Sequence, residues 1–351
     1  MTARIRVLVA DDSRAVRQAL VSVLREGPFF DVVGEAADGQ EAIEGADRLR
    51  PDVITMDVLM PGLGGLEAIR AIMSTAPARI VVVSSAVSDR ELDLSFRAIA
   101  AGALEVLGKP VGGGAVDFDA WARKVRESVR LMAGVPVVRR FSKGSSEDGP
   151  PAKPLAAVVA SRRLAAFALG ASTGGPAALA RVLGELPGAI PVPVFVAQHM
   201  TMGFTRGLVR WLSEVSALRV QMVERTIPAM PSCVYLPMDG HDLSVDADGC
   251  LRVTATRAET CPSVDVLFAS FGAAYGSRGG AALLTGMGDD GARGLLALRR
   301  AGGVTVCQDE ATSVVFGMPK AAVDLGAAEH VLPLDSISHT IAALCGTAKA
   351  C

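Results

Sequence analysis

The sequence is poor in the features that mark several large classes of protein. Aromatic residues make up only 4% of its 351 residues. Its cores must therefore be aliphatic, as suits parallel sheets buried on both faces. Charge of neither sign dominates, with 35 Lys plus Arg against 37 Asp plus Glu and a formal net charge of −2. That balance supplies no electrostatic footprint for nucleic acid or an anionic membrane, so neither is expected as a partner. The six cysteines, Cys233, Cys250, Cys261, Cys307, Cys345 and Cys351, never form a C-x-x-C pair. This excludes a zinc framework and a disulfide scaffold and leaves reduced, structural thiols. No run of 18 apolar residues occurs, since Arg162 and Arg163 interrupt the stretch from Leu155 to Ala171. The apolar run after Arg4 and Arg6 is too short for a signal-peptide core, and a cytoplasmic protein with no membrane insertion is expected. Histidine is scarce too: His199, His241, His330 and His339 are the whole supply.

Half the residues are hydrophobic, and at about 150 residues per domain a chain of this length should hold two. Strand-like runs at Ile5–Ala10, Val32–Ala36, Val53–Asp57, Ile80–Ser84 and Glu105–Leu107 alternate with helical patterns. Ser13 is a suitable N-cap for a helix carrying Val16, Leu20, Val23 and Leu24, and Gly27-Pro28 stops it. Trp121, Val125, Val129 and Met132 mark one face of a closing helix. Five strands alternating with helices imply a parallel α/β sheet with right-handed crossovers over residues 1–132. Residues 133–163, with Ser142 to Gly149, Pro150-Pro151 and Lys153-Pro154, have no periodicity and read as a linker. A second alternating pattern fills residues 164–351, with strand candidates Ala165–Leu169, Val192–Ala197, Cys233–Leu236, Gly280–Leu284 and Val304–Gln308.

In open α/β sheets ligands bind at the carboxyl ends of the strands, near the topological switch point. In the first domain Asp11 and Asp12 follow strand one, Asp57 and Ser84 end strands three and four, and Lys109 follows strand five. Three converging carboxylates need a shared hard cation, and Mg²⁺ suits them. Lys109 offers a compact positive charge to a phosphoryl group and Ser84 a hydroxyl. Each residue alone is an ordinary turn or surface residue; all five on one rim are not.

In the second domain Gly170-Ala171-Ser172-Thr173-Gly174 follows an aliphatic strand and matches G-x-S-x-G, in which a tight turn thrusts a serine hydroxyl out of a sheet. Ser-Thr-Gly-Gly could equally be a plain N-cap turn. A serine needs a base to attack at neutral pH. His199, directly after Val192–Ala197, lies on the same rim as Ser172 if those strands are neighbours. Gly280–Leu284 runs into a glycine-rich loop with Asp289 and Asp290, either of which could orient the imidazole. The chain order Ser, His, Asp differs from that of α/β-hydrolases, so that fold is excluded. A nicotinamide-binding domain is disfavoured, because Ser172 stands where G-x-G-x-x-G needs glycine and the acid about 20 residues on is missing. A catalytically silent, phosphorylation-controlled module or a transcription regulator is the other alternative; no basic helix-turn-helix supports DNA binding, and an esterase assay separates the silent module from an enzyme.

Residues 4–132, on Asp11-Asp12, Asp57 with Met60-Pro61, Ser84 and Lys109-Pro110, resemble a response-regulator receiver domain of flavodoxin-like (βα)5 fold. The resemblance implies that Asp57 accepts a phosphoryl group from a histidine kinase. Asp12 would ligate Mg²⁺ with Asp57, Asp11 would serve the same acidic pocket, and Ser84 and Lys109 would contact phosphoryl oxygens. Many receivers carry an aromatic switch residue three positions before the lysine; here it is Val106, which puts the aromatic form of the switch in doubt. The second domain resembles the catalytic domain of chemotaxis protein-glutamate methylesterases, the CheB family. The likeness rests on Gly170–Pro176, Gln198-His199-Met200, Pro262-Ser263-Val264-Asp265, Leu284–Gly291 and Val315-Phe316-Gly317-Met318-Pro319. It implies a doubly wound, Rossmann-like parallel sheet with nucleophile Ser172, base His199, orienting acid Asp290 and an oxyanion-binding N–H at Met287, and no cofactor at the esterase site. Tyr235 to His241 drifts from the family's Pro-x-x-x-His segment, and His241 receives no role. The implied reactions are methyl-ester hydrolysis at receptor glutamates and deamidation of receptor glutamines, with methyl-accepting chemotaxis receptors as substrates.

Overall fold

A computed structural model describes residues 4–85, 87–110, 115–136, 163–256 and 261–346. The chain divides into two compact units, Met1–Glu147 and Asp148–Cys351. Most of the stretch read as a linker, residues 137–162, lies outside the described residues.

The first unit runs β1 (Ile5–Ala10), α1 (Arg14–Arg25), β2 (Phe30–Ala36), α2 (Gly39–Leu49), β3 (Val53–Met56), α3 (Gly65–Thr75), β4 (Arg79–Ser84), α4 (Asp89–Ala101), β5 (Glu105–Gly108) and α5 (Ala115–Met132). All pairings are parallel and the strand order is β2-β1-β3-β4-β5. The aliphatic runs are strands because both faces are covered: Val53, Ile54 and Met56 of β3 are wholly buried, as are Ile80, Val81 and Val82 of β4. Ser13 caps α1 through Val16 N–H, and Trp121, Val125, Val129 and Met132 are the buried side of α5. The chain reverses direction across the sheet between β1 and β3, and that crevice holds the loops after both strands. Asp57 falls one residue past β3 rather than inside it.

The second unit is built on a seven-stranded parallel sheet of order β15-β14-β13-β6-β7-β10-β8. Its elements are β6 (Ala166–Ala171), α6 (Gly175–Glu185), β7 (Val194–Gln198), α7 (Thr205–Val215), β8 (Arg219–Val223), β9 (Ile227–Pro228), β10 (Cys233–Pro237), β11 (His241–Val245), β12 (Cys250–Ala255), α8 (Val264–Tyr275), β13 (Gly279–Leu283), α9 (Ala292–Arg300), β14 (Val304–Gln308), α10 (Met318–Asp324), β15 (His330–Leu332) and α11 (Leu334–Cys345). The first strand, β6, lies mid-sheet; on one side the chain adds β7, then the edge strand β8, then β10 inserted between them, and it returns to the other side with β13, β14 and β15 in order. This is a doubly wound order whose switch point flanks β6. Five strands match sequence-read runs, whereas edge strands β8 and β15 do not. A separate antiparallel sheet, β11-β12-β9, adds a feature the sequence does not announce and places His241 at a strand start.

Among the described residues the cysteines are free, and burial pushes the thiols of Cys307 and Cys345 up to about 12. No helix among those residues is long and apolar enough to cross a membrane.

Candidate active site and phosphoacceptor pocket

The switch point of the second sheet gathers the three predicted residues. Ser172 follows β6 and His199 follows β7, neighbours paired from Phe167–Val194 to Ala171–Gln198. Asp290 lies in the loop after β13, the strand on the other side of β6. His199 Nδ1 stands 3.2 Å from Ser172 Oγ, and its Nε2 is 2.8 Å from Asp290 Oδ2. A carboxylate can only accept, so Nε2 carries the proton and Nδ1 is left to accept from the serine hydroxyl. The imidazole turns to the serine the ring nitrogen opposite to the one used in the serine-protease arrangement.

Asp290 is held from four directions besides His199. Val264 N–H donates to Oδ2 at 2.7 Å, while Asp265 N–H (2.9 Å), Gly291 N–H (3.0 Å) and Ser263 Oγ (3.2 Å) donate to Oδ1. Two of these N–H groups open helix α8, where unsatisfied donors and the helix dipole favour negative charge. Burial pushes the Asp290 carboxyl up, but the His199 hydrogen bond and the Asp265 and Val264 N–H groups prevail and hold it at about 2. Asp289 is exposed.

The turn that carries Ser172 is fixed by close packing. Gly174 takes a positive φ of 76° ahead of α6, and a Cβ there would lie 2.6 Å from Val314 Cβ. Gly286 allows the β13 loop to approach Ser172, because a Cβ on it would stand 2.8 Å from Ser172 Cβ and 2.2 Å from Met318 Sδ. Thr285, buried, donates Oγ1–H to Thr173 O at 3.0 Å and accepts Val315 N–H at 2.9 Å. Ser172 N–H is engaged with Thr285 O at 3.0 Å. Met287 is the next residue along the loop, and its N–H has no acceptor among the described residues. Gln198, absent from the sequence-read site, donates Nε2–H to the carbonyls of both Ser172 and His199 at 2.8 Å. Its place directly before the histidine was the one available signal, and glutamine at a strand end has many ordinary uses.

In the first unit Asp11, Asp12 and Asp57 each bring a carboxylate oxygen within 4.8 Å of the others, with Asp11 and Asp57 buried and Asp12 exposed. Lys109 Nζ bridges Asp11 Oδ2 at 2.8 Å and Asp57 Oδ2 at 2.7 Å. Burial pushes Asp57 up to about 6, against the hydrogen bond and charge of Lys109. Burial works against the Lys109 ammonium, but its bonds to Asp11 and Asp57 and their charges raise it above its ordinary value. Three oxygen donors of this kind, one facing solvent, fit a hard divalent cation such as Mg²⁺ that retains water ligands. Ser84 is buried at the end of β4, and here its hydroxyl donates to Glu91 Oε1 at 2.9 Å. The same oxygen accepts Ser85 N–H at 2.7 Å and Ser85 Oγ–H at 2.6 Å. Burial opposes the charge on Glu91, yet these bonds hold its carboxyl below the usual range. Sequence reading missed Glu91, because S-x-x-E from Ser88 looks like no more than a capping box.

Comparison with known proteins assigns a family to each half of the chain. The CheB methylesterase family model matches residues 167–341, and that of the response regulator receiver domain matches residues 7–116. A protein named protein-glutamate methylesterase/protein-glutamine glutaminase 3, from Myxococcus xanthus, is 50% identical over 97% of this chain and 94% of its own length. The chain belongs to the CheB methylesterase family. Another CheB relative, protein-glutamate methylesterase/protein-glutamine glutaminase 4 of the same organism, is 44% identical over 96% of each chain. The crystal structure of the Thermotoga maritima CheB methylesterase catalytic domain is 33% identical, covers 51% of this chain and 97% of that one, and superposes with a TM-score of 0.48. The CheB architecture is thus an N-terminal receiver domain followed by an α/β catalytic domain.

Proposed function

We propose that this chain is a phosphorylation-controlled serine hydrolase that removes methyl esters from receptor glutamates and deamidates receptor glutamines. One observation carries the reading: Ser172, His199 and Asp290, from three different loops, form a continuous hydrogen-bonded relay. The names of the relatives, methylesterase and glutaminase, supply the two substrates.

In the first half-reaction Ser172 Oγ attacks the side-chain carbonyl carbon while its proton passes to His199 Nδ1. The negative charge on the former carbonyl oxygen falls to backbone donors, for which the free N–H of Met287 is the candidate. Asp290 stabilises the imidazolium and keeps the ring in register. Collapse of the tetrahedral species returns the proton from Nδ1 to the leaving oxygen, releasing methanol and leaving glutamate esterified to Ser172. Water, deprotonated by the same nitrogen, then hydrolyses that ester and restores the serine. A glutamine follows the same course with ammonia as leaving group. General-base assistance is worth roughly 10²–10⁴ in rate, and one oxyanion donor about 10²–10³ in kcat.

In the receiver domain Asp57 is the phosphoacceptor, and Asp12, Asp57 and Asp11 are the residues that would hold Mg²⁺. When bound, the cation supplies positive charge against the phosphoryl oxygens. Lys109 already lies on Asp57 Oδ2, where it would follow a phosphoryl group. Ser84 would have to leave Glu91 to donate to that group. A histidine kinase is the expected phosphodonor and the cytoplasm the expected compartment; residues 1–132, 133–163 and 164–351 are the proposed receiver, linker and catalytic segments.

Ser172→Ala is expected to abolish methanol release from methyl-labelled receptor membranes while Asp57 is still phosphorylated by a phosphodonor. Release above the uncatalysed rate from the alanine variant would reject the relay.

A further inference from the structure

Asp290 reaches the imidazole from a loop on the parallel sheet, yet most of what holds it belongs to the start of helix α8. Ser263 is where those supports meet. It is the N-cap of α8, with φ −70° and ψ 123°, and its Oγ accepts Val266 N–H at 3.3 Å. The same hydroxyl donates to Asp290 Oδ1 at 3.2 Å. Its backbone N–H donates to Asp242 Oδ1 at 2.6 Å, which ties the turn to strand β11 of the antiparallel sheet. A serine hydroxyl has one proton and two lone pairs. Accepting from Val266 fixes the oxygen in place and leaves its proton for the carboxylate.

Resting on the relay reading above, we propose that Ser263 is a positioning residue for the hydrolytic reaction, acting through Asp290. Two oxygens of Asp290 share the work: Oδ2 faces His199 Nε2 and Val264 N–H, while Oδ1 is taken by Ser263, Asp265 and Gly291. Backbone donors are spread along the start of α8 and the Gly291 turn, whereas Ser263 offers the one side-chain proton to Oδ1 among the described residues. With it, rotation of the carboxylate about its Cβ–Cγ bond would break three bonds on Oδ1 as well as the two on Oδ2. Without it, Oδ1 keeps only the N–H groups of Asp265 and Gly291, and the imidazole is held less firmly against Ser172. The antiparallel sheet acquires a purpose in the same step, because Asp242 anchors the residue that anchors the acid.

The test separates this role from simple helix capping. Glycine is nearly as good an N-cap as serine but has no hydroxyl, so Ser263→Gly should stay folded, its melting temperature lowered by only a few degrees for the lost bond to Asp290. It is expected to lower kcat for methanol release by about tenfold, the loss of one hydrogen bond to a charged acceptor, with KM unchanged. Ser263→Thr, which keeps the hydroxyl, should recover most of the rate. In an Asp290→Ala background, Ser263→Gly should have no further effect on the residual rate, since the partner is gone. A wild-type kcat in Ser263→Gly, a defect that threonine does not relieve, or an undiminished effect in the Asp290→Ala background would each overturn the proposal. If Ser172→Ala itself retains methanol release, the relay fails; if it is inactive while Ser263→Gly is normal, only the role of Ser263 fails.

Discussion

Asp289 and Asp290 are chemically identical neighbours with opposite surroundings. Asp289 is exposed, whereas Asp290 carries the His199 bond and four further donors. Removing the charge from Asp290 leaves those donors facing a neutral amide and gives His199 Nε2 a partner that can no longer fix the protonated nitrogen. Asp290→Asn is therefore expected to cost about 10³-fold or more in kcat, and Asp289→Asn less than about twofold; the reverse order in a methanol-release assay would move the acid to Asp289. The low carboxyl of Asp290 also has a pH signature. A group whose folded value is depressed adds stability above its unfolded value and loses it as pH falls through the folded one. For Asp290 the window runs from the ordinary 3.8 down to about 2. The stability gap between wild type and Asp290→Asn should be full above pH 4 and shrink steadily toward pH 2 in denaturant unfolding. A gap that stays constant across that range would contradict the hydrogen-bonding account.

At the scale of elements, the strands that were legible are those covered on both faces. β1, β3, β4, β6, β7 and β14 read as aliphatic runs because there is no solvent side on which to place a polar residue. β8 is an edge strand with an exposed Arg219 and a half-buried Gln221, and β15 is three residues long with Val331 exposed, so neither has that signature. β11 and β12 mix Asp242, Ser244, Arg252 and Thr254 into a hairpin with one covered face, which composition alone renders as loop. The site was legible to the same degree. Ser172, His199 and the Asp289-Asp290 pair sit at ends of readable strands, whereas Ser263, Gln198 and Glu91 act through caps and backbone carbonyls, uses shared by many residues with no catalytic link. Glycines in these loops record close approach. Gly286→Ala would drive a methyl into Met318 Sδ, a buried atom, and against Ser172 Cβ. Overpacking of this kind costs about 1–3 kcal/mol, and the displaced serine should reduce methanol release further than the fall in melting temperature explains. Wild-type turnover in that variant would show that the loop is not wedged against Ser172.

At the scale of the whole molecule, the chain carries two candidate sites, each at the switch point of its own parallel sheet. A receiver can govern an attached enzyme only if its phosphorylated and unphosphorylated forms contact that enzyme differently. A phosphoryl group on Asp57 would have a local lever for such a difference, since Ser84 could not donate its single proton both to Glu91 and to a phosphoryl oxygen. Moving it would leave Glu91 short of one donor at the head of α4, with Val106 offering no aromatic ring to take up the change. The direction of control we expect is restraint: the unphosphorylated receiver holds the esterase down, and phosphorylation releases it. In the full chain a phosphodonor with Mg²⁺ should then raise methanol release. A folded fragment lacking residues 1–150 should start at the raised rate and ignore the phosphodonor, because Ser172, His199, Asp290 and every group that holds them lie after residue 163. If the fragment is folded yet no faster than the unphosphorylated full chain, release from restraint is the wrong direction. The receiver would then have to act by improving the catalytic unit, and the fragment's rate would stay below that of the phosphorylated protein.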